Sequence, residues 1–316
     1  MGAFVISLDF ELLWGVRDHA DRESYGANVL GAREAVPRML DLFAESGIRA
    51  TWATVGFLMC EDRDELLASL PAPEERPVYS NPKMSSYSYL DDVGADEASD
   101  PYYFGASLVR RIAETPGQEI GTHTLSHYYC LEEGQTEATF EADLRASLEI
   151  ARHRGIEMRS IVFPRNQYGP EHLTICERHG LMAYRGNPES WAYRSARAAE
   201  QTPLRRALRL ADSYTAILGH QTFKKDHSQI ANVPASRFLR PCAGRLAQFH
   251  PLHLATIKRG MTAAARRGSS YHLWWHPHNF GHKIEENLAS LRHLADHYHY
   301  LSEMYGMTSK AMGEAA

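Results

Sequence analysis

The chain has 316 residues, 44% of them hydrophobic, 10% aromatic and 23% charged, and a formal net charge of −5. That balance is the one expected of a globular protein with a sizeable core, and it gives no reason to expect nucleic acid or an anionic membrane as a partner. No apolar run approaches the length needed to span a bilayer, so no transmembrane segment is expected. The chain runs from Ala3 straight into an apolar stretch, without the basic and cleavage segments of an export signal, so a cytoplasmic location is the expectation. Cys60, Cys130, Cys176 and Cys242 form no CxxC and no metal-like spacing; they are expected reduced and mostly buried.

Residues 3–8 are nearly all apolar, as in a strand buried on both faces. The strand ends in Asp9-Phe10-Glu11, followed by Trp14. In parallel α/β folds the loops at the carboxyl ends of strands carry the chemistry. Two carboxylates at i and i+2 point the same way there, although acidic residues at such places are as often turn formers or helix caps. Helical periodicity over 28–46 closes on Gly47; 48–55 is the next strand and 62–70 a short helix. Residues 71–100 are rich in proline, serine and acidic groups and hold Tyr79, Tyr87 and Tyr89. Such a stretch is a functional lid, a mobile insertion or, more commonly, a solvated surface loop. A helix over 101–115 leads to a strand at 119–121 and to the segment Gly121-Thr122-His123-Thr124-Leu125-Ser126-His127. If that loop turns into a helix, the two imidazoles stack on one face. With a carboxylate from elsewhere they would make an open divalent-metal site. Seventeen histidines also produce chance pairs, such as His293 and His297, which read as a helix face.

Further on, 140–154 is helical, and the strand 158–163 runs into Pro164-Arg165-Asn166-Gln167. A helix at 170–180 and a strand at 181–184 precede a polar loop, 185–191, that holds Trp191. Over 192–268 the alternation blurs. Its arginine-bearing stretches, 204–210 and 254–267, could meet phosphate or lipid headgroups but more often form a solvated face. Residues 271–275 are the last strand, ending in His276-Pro277-His278-Asn279; 284–305 is an amphipathic helix, and a loose tail is expected from Thr308. About seven strand-then-helix units without an internal repeat suggest one domain over 1–316 built as a (β/α) barrel. The stretch 71–100 would be an insertion in it, and 192–268 an irregular segment.

Asp9-Phe10-Glu11, Thr122-His123-Thr124-Leu125-Ser126-His127, Phe163-Pro164-Arg165 and Leu273-Trp274-Trp275-His276-Pro277 occur in the order of the polysaccharide deacetylase motifs. The chain resembles the NodB-homology carbohydrate esterases of family 4 over about residues 3–283. The resemblance implies a distorted (β/α)7 barrel with the active site at the carboxyl ends of its strands. It implies Asp9 as general base, His276 as general acid with His278 as its rival, and Arg165 as the group that holds Asp9 ionised. His123 and His127 would bind a divalent metal, with zinc the expected ion, and Glu11 would be the third ligand. Two departures stand out. The family usually has adjacent aspartates where Phe10 here separates Asp9 from Glu11, and its arginine usually precedes the proline by two positions. Asn166, His278 and Asn279 are candidate substrate contacts, and Trp14, Trp191 and Trp275 candidate sugar-stacking walls or core residues.

The expected reaction removes an N-acyl group, acetyl or formyl, from an amino sugar or sugar-containing intermediate. A cytoplasmic location favours a nucleotide-linked, lipid-phosphate-linked or small-metabolite sugar, and the arginines suit phosphate. The alternatives are hydrolysis of a non-sugar amide, as in the allantoinase-like relatives of the fold, and a catalytically silent carbohydrate-binding member. A homo-oligomer is compatible with the sequence.

Overall fold

The computed structural model describes residues 2–316. Its strands are β1 (Ala3–Phe10), β2 (Ala50–Thr54), β3 (Gln118–Thr122), β4 (Ser160–Ile161), β5 (Ala183–Tyr184), β6 (Ala231–Asn232), β7 (Arg237–Phe238), β8 (Tyr271–Trp275) and β9 (Thr308–Lys310). They pair in parallel in the order β6-β5-β4-β3-β2-β1-β8-β7. The two ends of that order, β6 and β7, are neighbours in the chain. Between them Val233 donates to the Tyr184 carbonyl, Ala235 to that of Gly186 and Ser236 to that of His272. One bent segment therefore leaves β5 and joins β8, and the ring closes as the expected distorted (β/α)7 barrel. Parallel neighbours need crossovers, usually helical. These include α1 (Arg22–Glu45), α2 (Arg63–Ala68), α3 (Ala106–Glu114), α4 (Glu137–His153), α5 (Pro170–Arg178), α6 (Pro203–Thr215), α7 (His250–Arg267) and α8 (Ile284–Tyr305). All strands then point their carboxyl ends at one rim. β8 and α8 have the boundaries that the pattern predicts. α1 begins earlier than its periodicity suggests, because the Asp21 carboxylate caps it by accepting from the Ser24 N–H.

The two-residue period of β1 sorts its side chains. Phe4, Ile6, Leu8 and Phe10 pack outward in the core beneath the helices. Ala3 and Val5 belong to a separate cluster with Ala53, Val162, Ala183, Val233 and Met312. Met312 opens the final short helix, α9 (Met312–Ala315), and is fully buried. The tail is therefore ordered: β9 lies along the first half of β1, Ala3 to Val5, and α9 brings Met312 against the apolar lower layer. Higher on the same side of β1 come Ser7 and Asp9, whose hydrogen bonds run to side chains of β8 and of the residue after β5.

Residues 71–100 expose about half of their side chains to solvent but are anchored by buried ones, and none of them lines the cavity at the carboxyl rim. They form short 3-10 helices, the longest over Ser86–Asp92, with Tyr79, Ser86, Leu90 and Val93 buried. Tyr79 accepts a hydrogen bond from the Tyr129 N–H (2.9 Å), and the Ser86 hydroxyl donates to the Ser126 carbonyl. The stretch props the histidine loop from behind. Cys60, Cys130 and Cys176 are buried free thiols, and Cys242 is half-buried. Among the described residues no helix is long and apolar enough to cross a membrane.

Candidate active site

At the carboxyl rim a cavity of about 570 Å³ is lined by Asp9, Glu11, His123, His127, His276 and His278 among others. Asp9 and Glu11 reach it from one side of β1. The chain then turns sharply, with Leu12 at φ 45°, and Gly15 folds back over Glu11. A Cβ on Gly15 would lie 1.9 Å from the Glu11 carboxyl carbon, so glycine alone leaves the carboxylate its place.

His123 and His127 meet with ring centroids 5.0 Å apart, but not on a helix. The loop is irregular, with Thr124 and His127 in the left-handed region at φ 65° and 58°. Its shape is held from α4. Asp143 is fully buried and accepts from the Leu125 N–H (2.7 Å) and the Ser126 hydroxyl, with Tyr87 at 3.4 Å. Burial pushes the Asp143 carboxyl up to about 6 against those hydrogen bonds. Asp143→Ala is expected to lower stability by about 1–3 kcal/mol for each buried donor left unpaired. It should also weaken metal uptake, because the two imidazoles lose their common support. Denaturant unfolding and metal titration check both effects.

Glu11 Oε2 lies 3.3 Å from His123 Nε2 and 3.1 Å from His127 Nε2. One donor atom from each of the three falls within 4.8 Å of the others. The His123 Nδ1–H donates to the Val162 carbonyl at 2.7 Å, so in the neutral ring Nε2 presents a lone pair to Glu11. Burial opposes ionised Glu11, but the charge of His276 and the facing imidazoles of His123 and His127 hold it well below the usual carboxylate range. Burial depresses His127 to about 4 despite Glu11, and its Nδ1 has no partner. A buried carboxylate facing an imidazole lone pair with no proton between them suits a cation. A buried Glu/His/His set is a known donor combination for zinc, so these residues fit a divalent metal.

The expected contact between Arg165 and Asp9 is absent. Arg165 and Asn166 both adopt left-handed backbone conformations, and the turn sends the guanidinium away from Asp9 to the border of the cavity. There Arg165 pairs with Asp18 and lies 4.3 Å from the centre of the Tyr129 ring. Asp9 is held instead by Arg185, the first residue after β5, in a two-pronged pair of 2.5 and 2.7 Å. Asn166 turns inward, and its side-chain oxygen Oδ1 accepts from Arg185 at 3.1 and 3.2 Å. Ser7 accepts from Arg185 (3.0 Å) and donates to His272 Nε2 (2.8 Å), whose Nδ1–H donates to the Val233 carbonyl. Burial would raise the Asp9 carboxyl, but the Arg185 charge and its hydrogen bonds, with His123 and His276, hold it below the ordinary value.

His276 Nε2 lies 3.7 Å from Asp9 and 3.6 Å from Glu11. His278 is buried directly behind it, with the two rings stacked at 5.1 Å. Asn279 accepts a hydrogen bond from the Tyr25 hydroxyl at 3.0 Å and lines the cavity. This turn docks on α1 through a backbone contact. A Cβ on Gly31 would meet the Gly281 carbonyl oxygen at 1.9 Å, and one on Gly281 the Asn28 oxygen at the same distance. The three tryptophans proposed as walls are not in the cavity. Trp14 is fully buried and donates to the Tyr103 carbonyl. Trp275 is packed on Phe280 and Phe43. Trp191 is exposed and outside the cavity lining. Trp274 lines the cavity instead, stacked over the Arg185 guanidinium at 4.2 Å.

Residues 27–184, half of the chain, match the family model described as polysaccharide deacetylase. The chain belongs to that family. His123 and His127 fall inside the matched part of this deacetylase-family chain; Asp9, Glu11, Arg185 and His276 lie outside it, and the fold brings them in. Among solved structures, one described as a polysaccharide deacetylase from Mycobacterium smegmatis superposes with a TM-score of 0.61 at 14% identity, over 98% of this chain and 87% of the other. Another so described, from Pseudomonas aeruginosa PAO1, gives 0.55 at 11% identity, over 94% and 85%. PuuE allantoinase gives 0.55 at 12% identity, over 97% and 86%. At such identities the likeness is one of fold. No curated protein matches the chain by sequence.

The deacetylase family is one of hydrolases, and four residues of this member's site escape a reading of the sequence: Ser7, Arg185, His272 and Trp274. Arg185 is readable as a polar residue that follows a recognisable strand, at 181–184, but not as the partner of Asp9.

Proposed function

We propose that this deacetylase-family chain is a metal-dependent hydrolase that removes an N-acyl group, acetyl or formyl, from an amino sugar or sugar-containing intermediate. The observation that carries the reading is the Glu11, His123 and His127 donor set with Asp9 and His276 on its border. Glu11, His123 and His127 would hold a divalent cation, zinc by the donor set, which would supply a water of lowered pKa and polarise the acyl carbonyl. Asp9 takes the proton of the attacking water, and Arg185 keeps Asp9 ionised and fixes its orientation. His276, at the open side of the cavity, gives a proton to the departing amine, without which C–N cleavage would expel a poor leaving group. His276 is favoured over His278 for that role by position, since His278 is buried behind it with the rings stacked; burial, with His276 next to it, also pushes the His278 ring down to about 3. Trp274 and Phe238 offer flat walls at the mouth for a sugar ring.

Metal content of the purified protein is the direct test. Wild type is expected to carry a divalent ion, and His123→Ala at least about tenfold less. Release of acetate or formate from N-acylated amino sugars by the metal-loaded protein then tests the reaction. Hydrolysis of allantoin, with no sugar turned over, would replace the substrate class. Sugar binding without any turnover would make the chain a silent member of the fold.

A further inference from the structure

Next to the catalytic cavity, and sharing Arg165, Asn166, Phe238, Trp274 and His276 with it, lies a second one of about 310 Å³. Arg165, Arg194, Arg209, Arg237 and Arg240 line it, and no carboxylate does. Two of the five are neutralised elsewhere: Arg165 by Asp18, and Arg237 by the buried Asp212 at 3.2 Å. Arg237 is itself 4% exposed and its Nε–H has no acceptor. The other three form no ion pair among the described residues. Arg209 donates to the Gln201 side chain (2.9 Å) and Arg240 to the Ser213 hydroxyl (2.9 Å), both neutral acceptors. Burial lowers the pKa of both. Partly buried guanidinium groups without counter-charge are unfavourable unless something anionic joins them. One carboxylate is satisfied by one forked arginine; the partly buried Arg209 and Arg240, with the exposed Arg194 beside them, call for more negative charge than that.

We propose that this chamber holds a phosphate or diphosphate carried by the substrate, while the acylated sugar lies in the neighbouring cavity; this rests on the N-deacylase reading. Three neighbouring guanidinium groups, with the donors that Arg209 and Arg240 do not spend on Ala192, Gln201 and Ser213, match the oxygens of a diphosphate, the shared feature of nucleotide-linked and lipid-linked sugars. Of the two arginine-bearing stretches seen in the sequence, only 204–210 takes part, through Arg209. Lys258, Arg259, Arg266 and Arg267 on α7 do not line the chamber.

The test is calorimetric titration of the full chain with inorganic pyrophosphate, comparing wild type with Arg209→Gln, Arg240→Gln and His123→Ala. Thermal unfolding of each variant confirms that it is folded. Each arginine variant is expected to bind at least about tenfold more weakly than wild type, and added sodium chloride should weaken wild-type binding. His123→Ala should bind as wild type. No pyrophosphate binding by wild type, or equal binding by wild type and both arginine variants, overturns the proposal. So does binding lost only in His123→Ala, which would place the anion on a metal. Uridine diphosphate and geranyl diphosphate, titrated in parallel, separate a nucleotide carrier from a lipid one, and the tighter ligand names it. Because the titration needs no turnover, an active deacylase that fails to bind pyrophosphate sinks this proposal alone. A pyrophosphate binder that hydrolyses no acylated sugar sinks the deacylase reading.

Discussion

Asp9→Asn is expected to lower kcat for acyl release by about 10²–10⁴-fold, the contribution of a positioned base. Metal content should stay near that of wild type, because Asp9 is not among the three clustered donors. The asparagine keeps the size of the side chain and one acceptor for Arg185, but it cannot take a proton from water. Its amide nitrogen also faces the guanidinium with donor against donor, so a stability loss of about 1–3 kcal/mol should accompany the change. Rate, metal content and thermal unfolding therefore have to be measured on the same preparation. A kcat within tenfold of wild type, with the metal in place, would remove Asp9 from the role of base. The pH profile gives a second reading. Since Arg185 and its neighbours hold the Asp9 carboxyl below its ordinary value, the wild-type rate should stay level on its acid side until the pH falls below the ordinary carboxylate range.

How far the sequence discloses this site depends on the distance over which each cue acts. β1, β8 and α8 are legible because each carries its cue within itself: an apolar run bounded by a polar break, or a 3.6-residue period. The metal-ligand candidates were legible too, as each follows such a strand. β6 and β7 were not. Each is two residues long, and the bent segment containing them is defined by its hydrogen bonds to β5 and β8. The choice between Trp274 and Trp275 needs the register. Trp274 lies beside Ser7 and Trp275 beside Leu8, so the first shares the inward side with Asp9 and the second packs under the helices. Composition misleads over 71–100, where polar and acidic residues hide the buried Tyr79 and Ser86 that brace the histidine loop. Arg185 is the plainest case, because its partner, Asp9, is 176 residues away. Only closure of the barrel shows that the end of β5, and not the turn after β4, faces the first carboxylate.

Replacing Arg185 by Met should be strongly destabilising. The side chain is 1% exposed, and removing it leaves Asp9 a buried carboxylate without its counter-charge. Breaking a buried pair in this way costs about 3–5 kcal/mol. The loss should depend on pH, with a sign that follows from linkage. In the wild type the folded-state pKa of Asp9 is lowered, so its contribution to stability is present above the unfolded carboxylate value and is lost as the pH falls through the folded one. In the variant, burial is the largest influence left, opposed only by His123 and His276, and it raises the folded-state pKa. The folded chain then holds a proton that the unfolded chain has released, and its stability falls as pH rises between the two values. The gap between wild type and variant should accordingly be widest near neutral pH and shrink in acid. Urea unfolding across that range, in chelator so that metal binding adds nothing, measures it. Arg185→Lys, which restores the charge but not the fork, should recover part of the neutral-pH loss and little of the rate. A gap that does not change with pH would mean that Arg185 supports the barrel by packing alone, and Asp9 would need another source for its ionised state.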